Sequence, residues 1–297
     1  MDDETESTMF SPVNSESTFD TMSAMRLQEE CAYQVTNYLA AIPSVPLHWA
    51  EAPIDIECRQ VMAKWTIDVC DFCHYSRETA AIALNCLDRF MATRDGHRIL
   101  LDRDQYQLAA MTALYSAVKI HESEAMDTAL VSTLSRGVHS EEAVEKMEQR
   151  LLAAIQWRVN PPTAHAFVRE MFGFLADNLF SASTRETLVE LAKIQIELAI
   201  CDYHLSQHPG SHIAFASLVN AFESIETDVP FLDSFESTVS SVMHLDPFCV
   251  GDIRVALYEV VNGNEPMDIS ATHSGEKNSE HSGTLGGYDS SPRSVNV

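Results

Sequence analysis

The chain has 297 residues, room for two domains plus tails, and 45% of them are apolar, enough to fill real cores. Nineteen Lys and Arg stand against 44 Asp and Glu, a net charge of −25 that speaks against gripping nucleic acid or anionic lipid directly. No run approaches the ~20 apolar residues a membrane span needs, and seven scattered cysteines fit reduced core thiols better than a disulfide framework.

Residues 1–24 hold six acids, no Lys or Arg, and much Ser and Thr, which predicts a disordered, self-repelling acidic tail. Met1, Asp2, Asp3 and Glu4 carry neither the positive charge nor the apolar stretch of a signal peptide, so an intracellular, soluble protein is expected. The other end, 264–297, is rich in Ser, Gly, Asn and Glu and reads as a second disordered tail.

Between the tails the chain is free of helix breakers. No proline falls between Pro53 and Pro161, and the only glycines there are Gly96 and Gly137, which invites long helices. Cys58, Val61, Met62, Trp65, Val69 and Cys70 recur at helical intervals, as do Ala80, Ala83, Leu84, Leu87, Phe90 and Met91. From Gln105 to His121 the chain is apolar nearly all round, with Lys119 its only formal charge, and such a helix belongs at the centre of a bundle. A short helix near 126–135 and another marked by Val144, Met147, Leu151 and Ile155 complete a five-helix set. Asp102 with Gln105 makes a capping-box pattern, and Ser140 precedes Glu141 and Glu142.

A second helical set follows Pro161 and Pro162. Phe167, Met171, Phe174 and Leu175 share a face, and Ser183 with Glu186 resembles a capping box ahead of Leu188, Leu191, Ile194 and Leu198. A further helix is expected near 211–225. Asp246 and Pro247 are a strong start signal for the last one, to about Val261. The expected fold is all-α, with tandem five-helix bundles: an N-terminal helix plus first bundle over 25–160 and a second bundle over 161–263.

Chemistry is harder to find. Cys70, Cys73 and His74 satisfy a C-x-x-C-H haem-attachment pattern, but they fall at the end of an amphipathic helix, where core thiols and a helix-terminal histidine explain them. His208 and His212 are four apart, yet Pro209 and Gly210 break the helix that would align them on a metal. No phosphate loop, nucleophile elbow, zinc-protease helix or kinase signature occurs, so neither an enzyme nor a cofactor is expected. Two charges are out of place. Lys119 interrupts the apolar central helix near its end, and Glu148 sits on the stripe of Val144, Leu151 and Leu152. Such charges cost desolvation unless paired; a snorkelling lysine and a rim glutamate are the plain alternative.

Cys58, Arg59, Gln60, Val61, Met62, Ala63, Lys64 and Trp65 resemble the cyclin motif M-R-x-I-L-x-D-W. Asn85, Cys86, Leu87, Asp88, Arg89 and Phe90 resemble its N-x-x-D-R-F, and Ala109 to Met111 with Ser116 to Lys119 resemble its central helix. Lys146, Met147 and Glu148, then Asn160 to Phe167, are similar to the end of the first cyclin box and the entry to the second. The resemblance implies a regulatory subunit that binds and activates a cyclin-dependent Ser/Thr kinase in cell-cycle progression, acting in the nucleus and cytoplasm. It implies that Lys119 and Glu148 hold the kinase segment leading into its mobile helix, and that Arg59 and Asp88 form a structural ion pair. It also implies a docking patch for protein substrates made by Cys58, Val61, Met62, Trp65 and Asp68. Cys58, Lys64 and His121 depart from the family pattern. A tandem cyclin-fold adaptor in transcription that activates no kinase is the alternative, and a helical enzyme using Cys and His the third reading.

Overall fold

The computed structural model describes residues 15–34, 36–41, 53–176, 179–225 and 229–263. The expected tail over 264–297, and residues 1–14 of the N-terminal one, lie outside these. Twelve α-helices follow one another in the described residues: α1 (Ser15–Ala32), α2 (Ile56–Cys73), α3 (Arg77–Met91), the single turn α4 (Arg94–His97), α5 (Arg103–His121), α6 (Thr128–Leu134), α7 (Glu141–Ala154), α8 (Ala164–Phe174), α9 (Ala182–Cys201), α10 (Gly210–Ser224), α11 (Val229–Met243) and α12 (Pro247–Val261). The all-α expectation holds, as does the division into two five-helix sets. One core joins α2, α3, α5, α6 and α7, and the other joins α8 to α12.

Each bundle is built around its most apolar helix. In α5, Tyr106 and every residue from Leu108 to Val118 is buried; in α10, so are Ser211, Ile213 to Val219, Ala221 and Phe222. A helix without a polar face can be stable in water only when neighbours enclose it. Local chemistry sets most of the starts. Asp55, Ser76, Asp102, Asp127, Ser140, Thr163 and Asp246 each accept a backbone N–H in the first turn of the helix that follows. The Ser183 expectation needs correcting: Ser181 is the cap of α9, accepting from Thr184 N at 3.1 Å. Helix α11, which the chain-order reading passes over, buries Phe231, Phe235, Val239 and Met243 at four-residue intervals.

The N-terminal boundary is also different. Residues 15–24 are the first part of α1, not tail, and α1 packs on the second bundle although it precedes the first. Thr18, Met22, Met25 and Glu29 share its inner face, with Met22 fully buried in the second core. Only two of those four residues are apolar, so the helical stripe is faint in the sequence. Glu29 supplies what α10 lacks. That helix begins after Pro209 without a side-chain cap of its own, and the Glu29 carboxylate accepts from Ser211 N at 3.0 Å and Ser211 Oγ at 2.6 Å. Burial raises the Glu29 pKa, while its bonds to Ser211 act in the opposite sense.

Truncating Met22 therefore tests whether α1 is part of the folded unit. Met22→Ala is expected to cost ~2–5 kcal/mol, as buried methionine-to-alanine changes do. Its melting temperature should fall well below that of Gln28→Ala, a change at an exposed position of the same helix. Equal melting temperatures would return residues 15–24 to the tail.

Candidate docking surface of the first bundle

Two of the sequence-flagged charges meet. Lys119 occupies the last turn of α5 and Glu148 the middle of α7, and Lys119 Nζ lies 3.2 and 3.3 Å from the two Glu148 carboxylate oxygens. The lysine side chain is 51% exposed and the glutamate 14%. The pair thus sits at the edge of the bundle, with its cation outward. The lysine also stands over the Tyr115 ring, 5.3 Å from its centroid. The hydrogen bond that Lys119 donates to Glu148 raises the lysine pKa against a smaller effect of burial, so the lysine stays charged.

Apolar side chains that the sequence reading did not single out lie nearby. His121 Nε2 lies 3.1 Å from Val159 O, tying the end of α5 to the segment after α7. Ile120 and Trp157 flank that tie, and both are exposed. Gln156 and Trp157 adopt left-handed φ angles of 58° and 59°. Non-glycine residues pay ~1–2 kcal/mol each for that conformation, and here it ends α7 and leaves the indole in solvent. The strain was not legible in the sequence, because neither residue is of the type that favours it.

Arg59 and Asp88 make the expected ion pair, and it is buried. Arg59 Nη2 and Nε donate to the two Asp88 oxygens at 2.8 and 3.0 Å. Its remaining Nη1 donates to Ile200 O of α9 at 2.9 Å, so one guanidinium holds α2, α3 and the second bundle together. Tyr38 OH donates to Asp88 Oδ1 at 3.4 Å and lies 3.3 Å from Tyr106 OH. Burial opposes the charged arginine, but the Asp88 carboxylate and its hydrogen bonds more than offset this and raise the Arg59 pKa. Glu78 of α3 adds a second link between bundles, accepting from Arg169 of α8 at 2.6 Å.

The five residues of the expected docking patch do not share one environment. Val61 and Asp68 are exposed, while Cys58 and Trp65 are half-buried. Met62 is corrected: it is 7% exposed and belongs to the first core, because a residue next to Val61 on a helix is turned 100° away. Phe72, absent from the expected patch, is exposed one turn beyond Asp68. Val61, Trp65, Asp68 and Phe72 therefore line one outer stripe of α2 at spacings of four, three and four.

The remaining candidates recede. Cys70 is buried in the first core, where burial pushes its thiol up to about 12, while Cys73 is half-buried and His74 exposed after the helix end. His208 and His212 lie on either side of the Pro209 break. Among the described residues, no three His, Cys, Asp or Glu side chains gather as metal ligands, and no helix is long and apolar enough to cross a membrane. A cavity of about 340 Å³ opens between α1, α3 and the start of α10. Its charged side chains are already engaged, Arg26 with Glu30, Arg59 with Asp88 and Glu29 with Ser211.

Comparison with known proteins follows the same boundaries. The family model of the cyclin N-terminal domain matches residues 20–160. G1/S-specific cyclin-D1 of Mus musculus is 24% identical over 196 residues, which are 65% of this chain and 64% of that protein. Cyclin-B2-2 of Arabidopsis thaliana is 27% identical over 179 residues, 60% of this chain and 39% of that one. Among solved structures, a viral cyclin from herpesvirus saimiri aligns with a TM-score of 0.58 at 14% identity, covering 81% of this chain and 99% of that chain. A chain of the yeast RNA polymerase II CTD kinase complex aligns at 0.53 and 17% identity, over 82% of this chain and 76% of that one. These two likenesses concern the fold, and they extend it past residue 160 into the second bundle. Residues 20–160 thus match the cyclin N-terminal domain, and the chain shares the fold of the viral cyclin.

Proposed function

We propose that this chain is a regulatory subunit that binds and activates a cyclin-dependent Ser/Thr protein kinase in cell-cycle progression, acting in the nucleus and cytoplasm. The observation that carries the proposal is the Lys119–Glu148 pair, at 3.2 Å, with its lysine half in solvent. The resemblance of these two stretches to cyclin motifs supports reading them as the lysine and glutamate that hold a kinase. Ile120, next to Lys119, and Trp157, just past the end of α7, are exposed and offer the apolar contact area that polar anchors need. The chain contributes no catalytic group in this reading. It binds one conformation of the kinase's mobile helix and shifts the population toward it.

The outer stripe of α2 fits a second task, capture of protein substrates. Val61, Trp65 and Phe72 supply apolar contacts, and Asp68 a negative charge for a basic residue of the captured segment. Titrating the purified chain into a cyclin-dependent kinase tests both parts. Phosphorylation of a short peptide should rise with chain concentration to saturation. Trp65→Ala should leave that curve unchanged while reducing phosphorylation of a full-length basic protein substrate by about tenfold, ~1.4 kcal/mol of docking. A kinase that stays inactive at saturating chain would bring the transcriptional adaptor reading forward. Equal loss on peptide and protein would remove the docking role from α2.

A further inference from the structure

We propose that Arg89 and His121 are positioning residues: they hold the segment 155–159 in its strained form and so present Trp157 to a partner. The inference rests on reading the first-bundle surface as the kinase-binding one. Gln156 and Trp157 both take left-handed φ angles, 58° and 59°, that their side chains disfavour. Backbone of this kind persists only where its surroundings over-determine it, and it gathers at ligand clamps. The amides of the pair bond back to α7, Gln156 N to Ala153 O at 3.1 Å and Trp157 N to Leu152 O at 2.8 Å. Those bonds are local to the helix end. What fixes the segment from outside is two side chains of other helices.

Arg89 comes from α3. Its Nη1 donates to Arg158 O at 2.7 Å and its Nη2 to Ile155 O at 3.4 Å, so the guanidinium spans the strained pair and grips the chain on either side. The residue is 9% exposed, and among the described residues no carboxylate pairs with it. A buried cation without a counter-charge is unfavourable. The carbonyl end of α7 offsets part of this, as a helix C-terminus does for any cation, and the Tyr33 ring covers the guanidinium at 4.7 Å. Burial lowers the Arg89 pKa, and the nearby Arg158 acts in the same sense. A cation that served only to cap α7 would have no need of Arg158 O, which lies past the strained pair.

His121 closes the other end. Its Nε2 lies 3.1 Å from Val159 O, and because a carbonyl only accepts, this nitrogen carries the proton. His121 is the last residue of α5, two positions after Lys119, so one helical turn carries both the exposed cation and the tie. The placement of Trp157 relative to Lys119 is thereby set by the fold and not by the partner. Trp157 is 69% exposed, and tryptophan is enriched among the side chains that anchor interfaces. A loop held rigid beforehand loses less freedom when it binds, which favours affinity. The complement of such an anchor is an apolar recess on the kinase.

Hydrogen exchange on the full chain tests the hold, and kinase affinity tests its purpose. His121→Ala should speed exchange of the amides of 156–158 by about tenfold or more, while exchange in α10 stays as it was. His121→Gln, which keeps an N–H donor, should restore the slow rate. Arg89→Lys, which keeps the charge but not the two-pronged grip, should loosen the same amides. Unchanged exchange at 156–158 in both His121→Ala and Arg89→Lys would overturn the proposal. So would equal acceleration in α10, since the change would then be global. In affinity for a cyclin-dependent kinase, His121→Ala should cost about fivefold in the wild-type chain and nothing further once Trp157→Ala is present. Equal losses in the two backgrounds would also overturn it, because His121 would then act without Trp157. A wild-type chain that binds no kinase would end the function proposed above, and the exchange comparison alone would then decide whether Arg89 and His121 hold the loop.

Discussion

Arg59→Ala is expected to destabilise the protein by ~3–5 kcal/mol, the loss that follows when one member of a buried ion pair is stranded. The change leaves Asp88 buried without its cation and Ile200 O without its donor, so two desolvated acceptors lose partners at once. Thermal unfolding measures it. The control is Arg98→Ala, whose 2.9 Å contact with Asp95 is a surface pair between neighbours and should hardly register. The double change Arg59→Met/Asp88→Leu should be less damaging than Arg59→Ala alone, since no charge is left buried. A double variant as unstable as the single would mean that lost packing, not the stranded carboxylate, dominates. A melting temperature for Arg59→Ala equal to that of the control would show that the pair carries no stability.

Lys119→Ala and Glu148→Ala are expected to behave oppositely, with little effect on folding and a large one on kinase binding. With the lysine half in solvent, the pair is worth no more than ~1 kcal/mol to stability. As polar anchors beside Ile120 and Trp157, each should be worth ~2 kcal/mol or more at an interface, roughly a thirtyfold change in affinity. Kinase activation should fall in parallel. The exchange Lys119→Glu/Glu148→Lys separates the two roles, because it preserves an internal pair while reversing what a partner meets. It should keep the fold and abolish binding. If the exchanged chain, or the double alanine variant, still activates a cyclin-dependent kinase at wild-type concentration, the pair is only an intramolecular brace and the adaptor reading gains.

Much of the fold was readable because its signals are local. Asp102, Ser140 and Asp246 cap the helices they were expected to cap, since a cap bonds two or three residues onward and needs nothing distant. The all-apolar run of α5 announced a central helix for a similar reason. The first turns of α1 were read as tail because two of its three buried positions are Thr18 and Glu29, polar groups whose burial makes sense only beside the second bundle. α11 was passed over although its apolar spacing was present.

The site divides along the same line. Composition and pattern by themselves determined an all-α chain with two helical sets, the break at Pro161 and Pro162, and the oddity of two charges on apolar stripes. Those properties follow from period, capping and breaker residues within a few turns. Only the tertiary structure decided that Lys119 meets Glu148, that Met62 faces inward while Val61 and Phe72 face out, and that Arg59 reaches across to Ile200. Helical spacing tells which residues share a face but not what that face meets. What it meets depends on helices brought together from 29 residues away for Lys119 and Glu148, and from 141 for Arg59 and Ile200.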